Sequence, residues 1–263
     1  MFKDKKKQQS YMEYMLAPME KITDSSFRHI CHKYGADLTF TEQIRFETLV
    51  KKTKSALERI KLYDDTPTMI QIMGKDEEKL EVFLRDFTPE KGFRGFNLNL
   101  GCPSQTYVRQ GIGSAMIKRP TKVKRMVDMI KNHGYNVNIK LRLGVNKTEK
   151  REKVYLKLIE KVDADFFVVH ARHRSESYEQ RADWSVFPEC VNTGKAIVAN
   201  GDIQTKKDVE KMKEIGCTGV MIGRAAMNNP LIFGQLKELK IPPLESVKRE
   251  YIEICRNREG QQE

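Results

Sequence analysis

A chain of 263 residues, 39% hydrophobic and 32% charged, can bury one barrel-sized core or two small ones beneath a heavily charged surface. No apolar run approaches the ~20 residues of a spanning helix, no signal-peptide core is present, and five scattered cysteines match neither a metal-ligand nor a disulfide pattern, so a reduced cytoplasmic protein is expected. The net charge of +12 favours a polyanionic partner, although a lysine-rich solvated surface accounts for part of it.

Residues 1–10 read as a basic tail. Residues 12–19 form a buried strand that ends in a loop, and Asp24, Ser25 and Ser26 cap a helix closed by Gly35. A second strand covers 37–43, helix signals span 49–60, and a third strand covers 68–74 before a helix capped by Asp76. The fourth strand alternates Phe96, Leu98 and Leu100 on one side with Asn97 and Asn99 on the other, then breaks at Gly101 and presents Cys102 ahead of Pro103. Two amides on one buried face need partners there. The polar, glycine-containing segment 104–113 that follows is expected to be mobile.

Pro120 opens the next helix, and in the fifth strand, 137–144, Asn138, Lys140 and Arg142 share a face opposite Val137, Ile139, Leu141 and Leu143. An amphipathic helix is expected over 148–162, a sixth strand over 165–172 and, after a long polar loop, a seventh over 196–203. A helix over 205–215, an eighth strand over 219–225 and a covering helix over 230–239 complete eight strand–helix units. That count and spacing predict an α/β fold, a (β/α)8 TIM barrel over 11–240, followed by a short C-terminal helix and tail over 241–263. A doubly wound sheet is the alternative, but its glycine fingerprint after the first strand is missing.

Reacting groups of such a barrel lie at the carboxyl ends of its strands. Gln71, Asn99, Cys102, Lys140, Arg142, His170, Arg172, Asn200 and Arg224 all fall there. A lysine facing the barrel interior needs an anionic partner or a lowered pKa, and no carboxylate is an obvious neighbour, so Lys140 points to a bound anion. Gly201, Asp202, Gly223 and Arg224 end adjacent strands, where glycines and a guanidinium suit a phosphate. No cation is adjacent to Cys102 in sequence, which argues against an activated thiolate. The other four cysteines read as small buried hydrophobes.

These segments, in order, resemble the tRNA-dihydrouridine synthases: Ala17-Pro18-Met19, Asn99-Leu100-Gly101-Cys102-Pro103, Gly111-Ile112-Gly113-Ser114-Ala115, Lys140-Leu141-Arg142-Leu143-Gly144, His170-Ala171-Arg172, Ala182-Asp183-Trp184, Asn200-Gly201-Asp202 and Gly223-Arg224-Ala225. The resemblance spans residues 15–235. It implies a flavin oxidoreductase in which FMN, reduced by NADPH or NADH, reduces the C5–C6 double bond of a tRNA uridine. By that resemblance Pro18, Met19, Gln71, Lys140, His170, Asn200, Gly201, Asp202, Gly223 and Arg224 hold the flavin. Cys102 is the proton donor to C5, Asn99 helps place the base, and Arg172 contacts flavin or tRNA. An ordinary thiol, with a pKa near ~8.5, is mostly protonated at neutral pH and suits that acid role. The partner expected is tRNA, with no membrane and no metal, and the chain is expected to be monomeric. Family members usually carry a helical domain after the barrel; only 240–263 follow Leu239 here, so a compact, archaeal-like variant is expected. The competing readings are a Schiff-base aldolase using Lys140, an FMN reductase of a small pyrimidine, and a tRNA-binding protein that kept the fold.

Overall fold

The computed structural model describes residues 11–259, so the tail expected at 1–10 and the residues 260–263 lie outside the description. Nine strands form one parallel sheet: β1 (Glu13–Leu16), β2 (Thr39–Phe40), β3 (Ile44–Arg45), β4 (Thr68–Met73), β5 (Phe93–Leu100), β6 (Val137–Arg142), β7 (Phe167–His170), β8 (Ile197–Asn200) and β9 (Gly219–Ile222). The sheet order is β1-β9-β8-β7-β6-β5-β4-β2, and β3 also pairs with β4. The ring closes where Met15 bridges Leu38 and the Leu16 N–H donates to the Leu38 carbonyl at 2.9 Å. β2 and β3 together fill one position, so the architecture is an eight-position (β/α)8 barrel, as expected.

The second strand is split for a local reason. Thr41 Oγ1 accepts the Gln71 N–H at 2.9 Å, so a side chain replaces a ladder carbonyl and the chain leaves the sheet before rejoining it as β3. Three helices are shorter than the sequence pattern predicts. The span 49–60 is helical only over Lys54–Glu58, which follows a separate short helix, Phe46–Leu49, across Lys52 in the left-handed region. The span 148–162 becomes two helices, Lys147–Arg151 and Val154–Lys161, separated by Lys153 at φ 52°. Buried Glu149 commits the first piece to the end of β6, where it accepts the Val145 N–H and pairs with Lys118. The reversal at Lys153 then turns Val154, Leu158 and Ile159 to the core. The span 230–239 is helical only over Ile232–Leu236.

Elsewhere the start signals hold. Asp24 caps the helix Ser25–Lys33, Asp76 caps Glu77–Asp86, Pro120 opens Pro120–Asn132, and Thr205 caps Lys206–Ile215 through a capping box with Asp208. The chain's last described helix, Leu244–Glu259, lies along Ser25–Lys33: Val247 packs with Ile30 and Leu231, and Lys33 and Tyr34 both bond Glu250. Among the described residues no helix is long and apolar enough to cross a membrane.

Strand alternation sorts the core into two shells. Outward residues such as Ile70, Phe96, Leu98, Ile139, Leu141 and Val169 pack beneath the helices. Inward residues at the amino end, among them Met15, Phe40, Met69, Val168, Val198 and Met221, plug the barrel. Toward the carboxyl end the inward positions turn polar, and the plug stops.

Candidate active site

Above the plug lies a belt of amides, set by register: Gln71 stands opposite Asn97, Asn97 opposite Asn138, and Asn99 opposite Lys140. Gln71 Nε2 donates to Asn97 Oδ1 at 2.6 Å, and Asn97 Nδ2 donates to Asn138 Oδ1. Asn99 Nδ2 gives one hydrogen to Gln71 Oε1 at 2.8 Å and the other to Gln43 Oε1 at 2.9 Å. Its Oδ1 is thereby aimed at the chain beyond, where it accepts the Gly101 and Cys102 N–H groups at 3.0 and 2.9 Å. The partners that two amides on one face of β5 require are therefore neighbouring amides and the Cys102 backbone. Asn99 lines the cavity with all its hydrogen-bonding positions taken, so in this arrangement it positions Cys102, and contact with a substrate requires exchange of one of these bonds.

The belt floors a cavity of about 390 Å³ at the carboxyl ends of the strands. Its walls include Pro18, Met19, Gln71, Asn99, Cys102, Lys140, His170, Asn200, Gly201, Asp202, Gly223 and Arg224, so every residue singled out in the sequence except Arg172 reaches one space. Gln43, Arg142 and Tyr178 join them. Arg142 is a strand end in the sequence, and Gln43 closes the second strand expected over 37–43, although in the structure the chain has left the sheet there; Tyr178 carried no periodic signal because it lies in a loop.

Lys140 Nζ donates to Asn200 Oδ1 at 3.0 Å, and Asn200 Nδ2 is fixed by the Met221 carbonyl at 2.9 Å. Burial, and then the charge of Arg142, lower the Lys140 pKa to about 7, against an opposing pull from Cys102. Burial also lowers Arg142, which feels the charge of Arg172 and Cys102. No cation is adjacent to Cys102 in sequence, but strand pairing brings Lys140 and Arg142 into its field. His170 is held well below the usual imidazole range by burial and by Lys140, Arg142, Arg172 and Arg224. Its Nε2 lies 3.3 Å from Arg172 Nη1, and since arginine only donates, Nε2 accepts and the proton of the neutral ring sits on Nδ1.

Arg172, expected to contact flavin or tRNA, is not among the residues lining the cavity. It is 0% exposed, behind the wall, where Nε donates to the Gln180 carbonyl at 2.9 Å and Nη2 to Asp202 Oδ2 at 2.6 Å. It buttresses His170 and Asp202 from outside the cavity lining. Asp202 also accepts from the Ala182 N–H at 2.7 Å and from Arg224 Nη2 at 2.7 Å. Burial opposes its ionisation, but these bonds, led by Arg172, hold its carboxyl below the usual range. Trp184 Nε1 donates to the Gly201 carbonyl at 2.8 Å, so the Ala182-Asp183-Trp184 segment braces the Gly201-Asp202 turn. Gly201 is at φ +118°, and a Cβ there would lie 2.9 Å from Ala182 Cβ and 3.0 Å from His170 Cδ2. Only glycine fits.

Tyr178, 54% exposed, stands at the mouth. Its ring stacks on His170 at 6.1 Å, Arg224 lies 4.2 Å from its centroid, and Arg142 Nη2 donates to its hydroxyl at 3.3 Å. The segment after Cys102, expected to be mobile, contains a short helix, Gln105–Arg109, and is bonded at both ends by Arg174, Lys75 and Arg45. Around the cavity, Lys140, Arg142 and Arg224 face a single shared carboxylate, Asp202, and Glu20, which Arg59 already pairs at 2.7 Å. The balance is positive, and a cavity of this size and lining fits an anionic, partly aromatic ligand.

The family model described as Dihydrouridine synthase (Dus) matches residues 15–261. A probable tRNA-dihydrouridine synthase of Aquifex aeolicus (strain VF5) is 30% identical over 236 residues, covering 86% of this chain and 73% of that protein. A probable tRNA-dihydrouridine synthase 2 of Bacillus subtilis (strain 168) is 30% identical over 254 residues, covering 92% and 76%. Among solved structures, mandelate oxidase with 3,3-difluoro-2-hydroxy-3-phenylpropionic acid superposes with a TM-score of 0.51 at 15% identity, covering 86% of this chain and 70% of that one, a likeness of fold. With its family model matched over nearly the whole chain, the protein belongs to the dihydrouridine synthase family.

Proposed function

We propose that this chain reduces the C5–C6 double bond of a uridine in tRNA, with FMN held in the barrel mouth and NADPH or NADH as the electron source. The observation that carries the reading is the joint placement of Cys102, fixed by Asn99, and an uncompensated set of cations on one cavity. The residues present fit an anionic flavin: Lys140 without a carboxylate, Arg224 at the rim, the close-approach glycine Gly201, and neutral His170 with its Nδ1 proton to donate. Pro18, Met19, Gln71, Asn200, Asp202 and Gly223 complete that holding set. When bound, the flavin supplies the hydride for C6. Cys102 holds the proton for C5 at Sγ, and Asn99 fixes the thiol's backbone so that no reorganisation is needed as charge develops. Lys140, hydrogen-bonded to the neutral amide of Asn200, is driven toward its protonated form as an anion enters and balances the charge added there. The uridine must leave its stack to reach a cavity this deep, which the positive rim and exposed Tyr178 can support.

The test is an absorbance spectrum of the purified protein, followed by anaerobic addition of unmodified tRNA to the NADPH-reduced sample. A yellow protein reoxidised by tRNA and not by free uridine is expected. In Cys102→Ala the flavin stays, and reoxidation by tRNA slows by about 10²–10⁴-fold, the usual worth of a positioned acid. A full rate in that variant removes Cys102 as the donor; a protein that takes up no FMN overturns the reading.

A further inference from the structure

We propose that Arg174 is a positioning residue for Cys102, a latch reaching across the barrel mouth from the loop after β7 to the first turn of the Cys102 segment. The inference rests on reading Cys102 as the proton donor.

The base of the latch is fixed. The Arg174 N–H donates to the Gly144 carbonyl at 2.9 Å, and Ser175 Oγ donates to the Val145 carbonyl at 3.0 Å, so this part of the loop is tied to the turn after β6. From there Arg174 Nε donates to the Pro103 carbonyl at 2.7 Å and Nη2 donates to Gln105 Oε1. Pro103 follows Cys102 directly. Two donors of one planar guanidinium on acceptors either side of Ser104 set the direction of that turn as well as its distance, which a lysine ammonium cannot do.

No carboxylate shares in this. Glu176, two residues on, is taken by Lys150 and by the His173 N–H, and Arg174 forms no ion pair among the described residues. A cation spending its donors on two neutral acceptors is placed for geometry. The far end of the same segment is held independently: Lys75 Nζ donates to the Gln110 carbonyl at 2.8 Å and Arg45 Nη1 to Gln110 Oε1 at 3.1 Å. Beside it, Gly113 at φ +61° leaves room for the thiol residue, since an added Cβ would lie 3.2 Å from Cys102 Cβ, and the Ser114 N–H reaches the Cys102 carbonyl at 3.4 Å. Cys102 is therefore held on one side by Asn99 and the Ser114 N–H, and from beyond by Arg174. Removing Arg174 leaves 103–105 anchored on one side only, free to swing outward and carry Sγ with it.

The test uses the full chain with Arg174→Ala, Arg174→Lys, Gln105→Ala and the double variant. Three quantities are read: iodoacetamide labelling of Cys102, located by peptide mass spectrometry; flavin reduction by NADPH; and reoxidation by unmodified tRNA as kcat and KM. For Arg174→Ala, labelling of Cys102 is expected to quicken about tenfold, the scale of losing hydrogen bonds to a charged group. Its kcat for reoxidation falls by a similar factor, KM for tRNA and flavin reduction stay as in the parent, and Arg174→Lys lies between. The labelling effects of Arg174→Ala and Gln105→Ala are expected to be less than additive. Unchanged labelling with a raised KM would assign Arg174 to the tRNA backbone and overturn the latch, as would full additivity. If tRNA never reoxidises the parent protein, the proposed function fails while the labelling comparison still decides the latch.

Discussion

Phe96 and Asn97 are neighbours in β5, yet one meets four aromatic rings and the other a chain of amides. Phe96 packs edge-on to Phe83, Phe87, Phe93 and Tyr135 at centroid distances of 5.0–5.6 Å, beneath the helices Glu77–Asp86 and Pro120–Asn132. Asn97 passes hydrogen bonds from Gln71 to Asn138 across the barrel interior. The first face is insensitive to the identity of any one polar partner; its energy is burial and ring contact. The second is a chain in which each group's orientation depends on the next, and it ends at the Cys102 backbone. One strand thus carries the stability on its outside and the chemistry on its inside, and the two should come apart under mutation.

Phe96→Ala is the strongest way to separate them. A buried phenylalanine reduced to alanine costs about 3–5 kcal/mol, which urea unfolding would measure. Below the unfolding transition, Cys102 labelling and reoxidation per folded molecule are expected to match the parent. A loss of activity beyond the unfolded fraction would join the two faces that the geometry keeps apart.

Asn97→Leu is the converse. It leaves Gln71 Nε2 and Asn138 Oδ1 facing an apolar group, and each unsatisfied group costs about 1–3 kcal/mol, partly offset by the leucine's own burial. Among the described residues Asn138 Nδ2 is already buried without a partner, so the substitution adds to a cost the belt already carries. Stability is expected to fall less than in Phe96→Ala while the reoxidation rate falls more, because Gln71 no longer holds Asn99 in register. Parent-like reoxidation with Asn97→Leu would show that Gln43 alone orients Asn99.

The same contrast marks what could be read from the chain. The outer face is written in periodicity: Val137, Ile139 and Leu141 against Asn138, Lys140 and Arg142 fixed which side of β6 faces inward, and the register makes that a two-way choice. Strand ends then located the site. What stayed hidden depends on groups from different strands meeting. Arg172 alternates with His170 like a site residue, yet its guanidinium turns behind the wall because Asp202 and the Gln180 carbonyl lie there. The cations near Cys102 are remote in sequence and adjacent only through the β5–β6 pairing. Tyr178 and Arg174 sit in a loop, where no repeat says which way a side chain points, and Gln43, the end of the strand expected over 37–43, falls where the chain has left the sheet.

Lys140 offers the finest test, since its inner-face charge titrates while the aromatic face does not. Its folded-state pKa, about 7, lies below that of a free lysine, so well below pH 7 both states are protonated and the fold bears the full cost of the half-buried ammonium. Between pH 7 and about 10.4, the free-lysine value, the unfolded chain binds more protons than the folded one, so stability from this group rises with pH. Flavin-free Lys140→Met is therefore expected to exceed the parent in melting temperature by its widest margin near pH 6, with the margin shrinking steadily toward pH 10. Adding FMN should reverse the order at pH 6, because an anion beside Lys140 favours the protonated form and only the parent can supply it. A margin that widens with pH would mean that the ammonium is stabilised without a ligand, and the cavity's call for an anion would lose its main support.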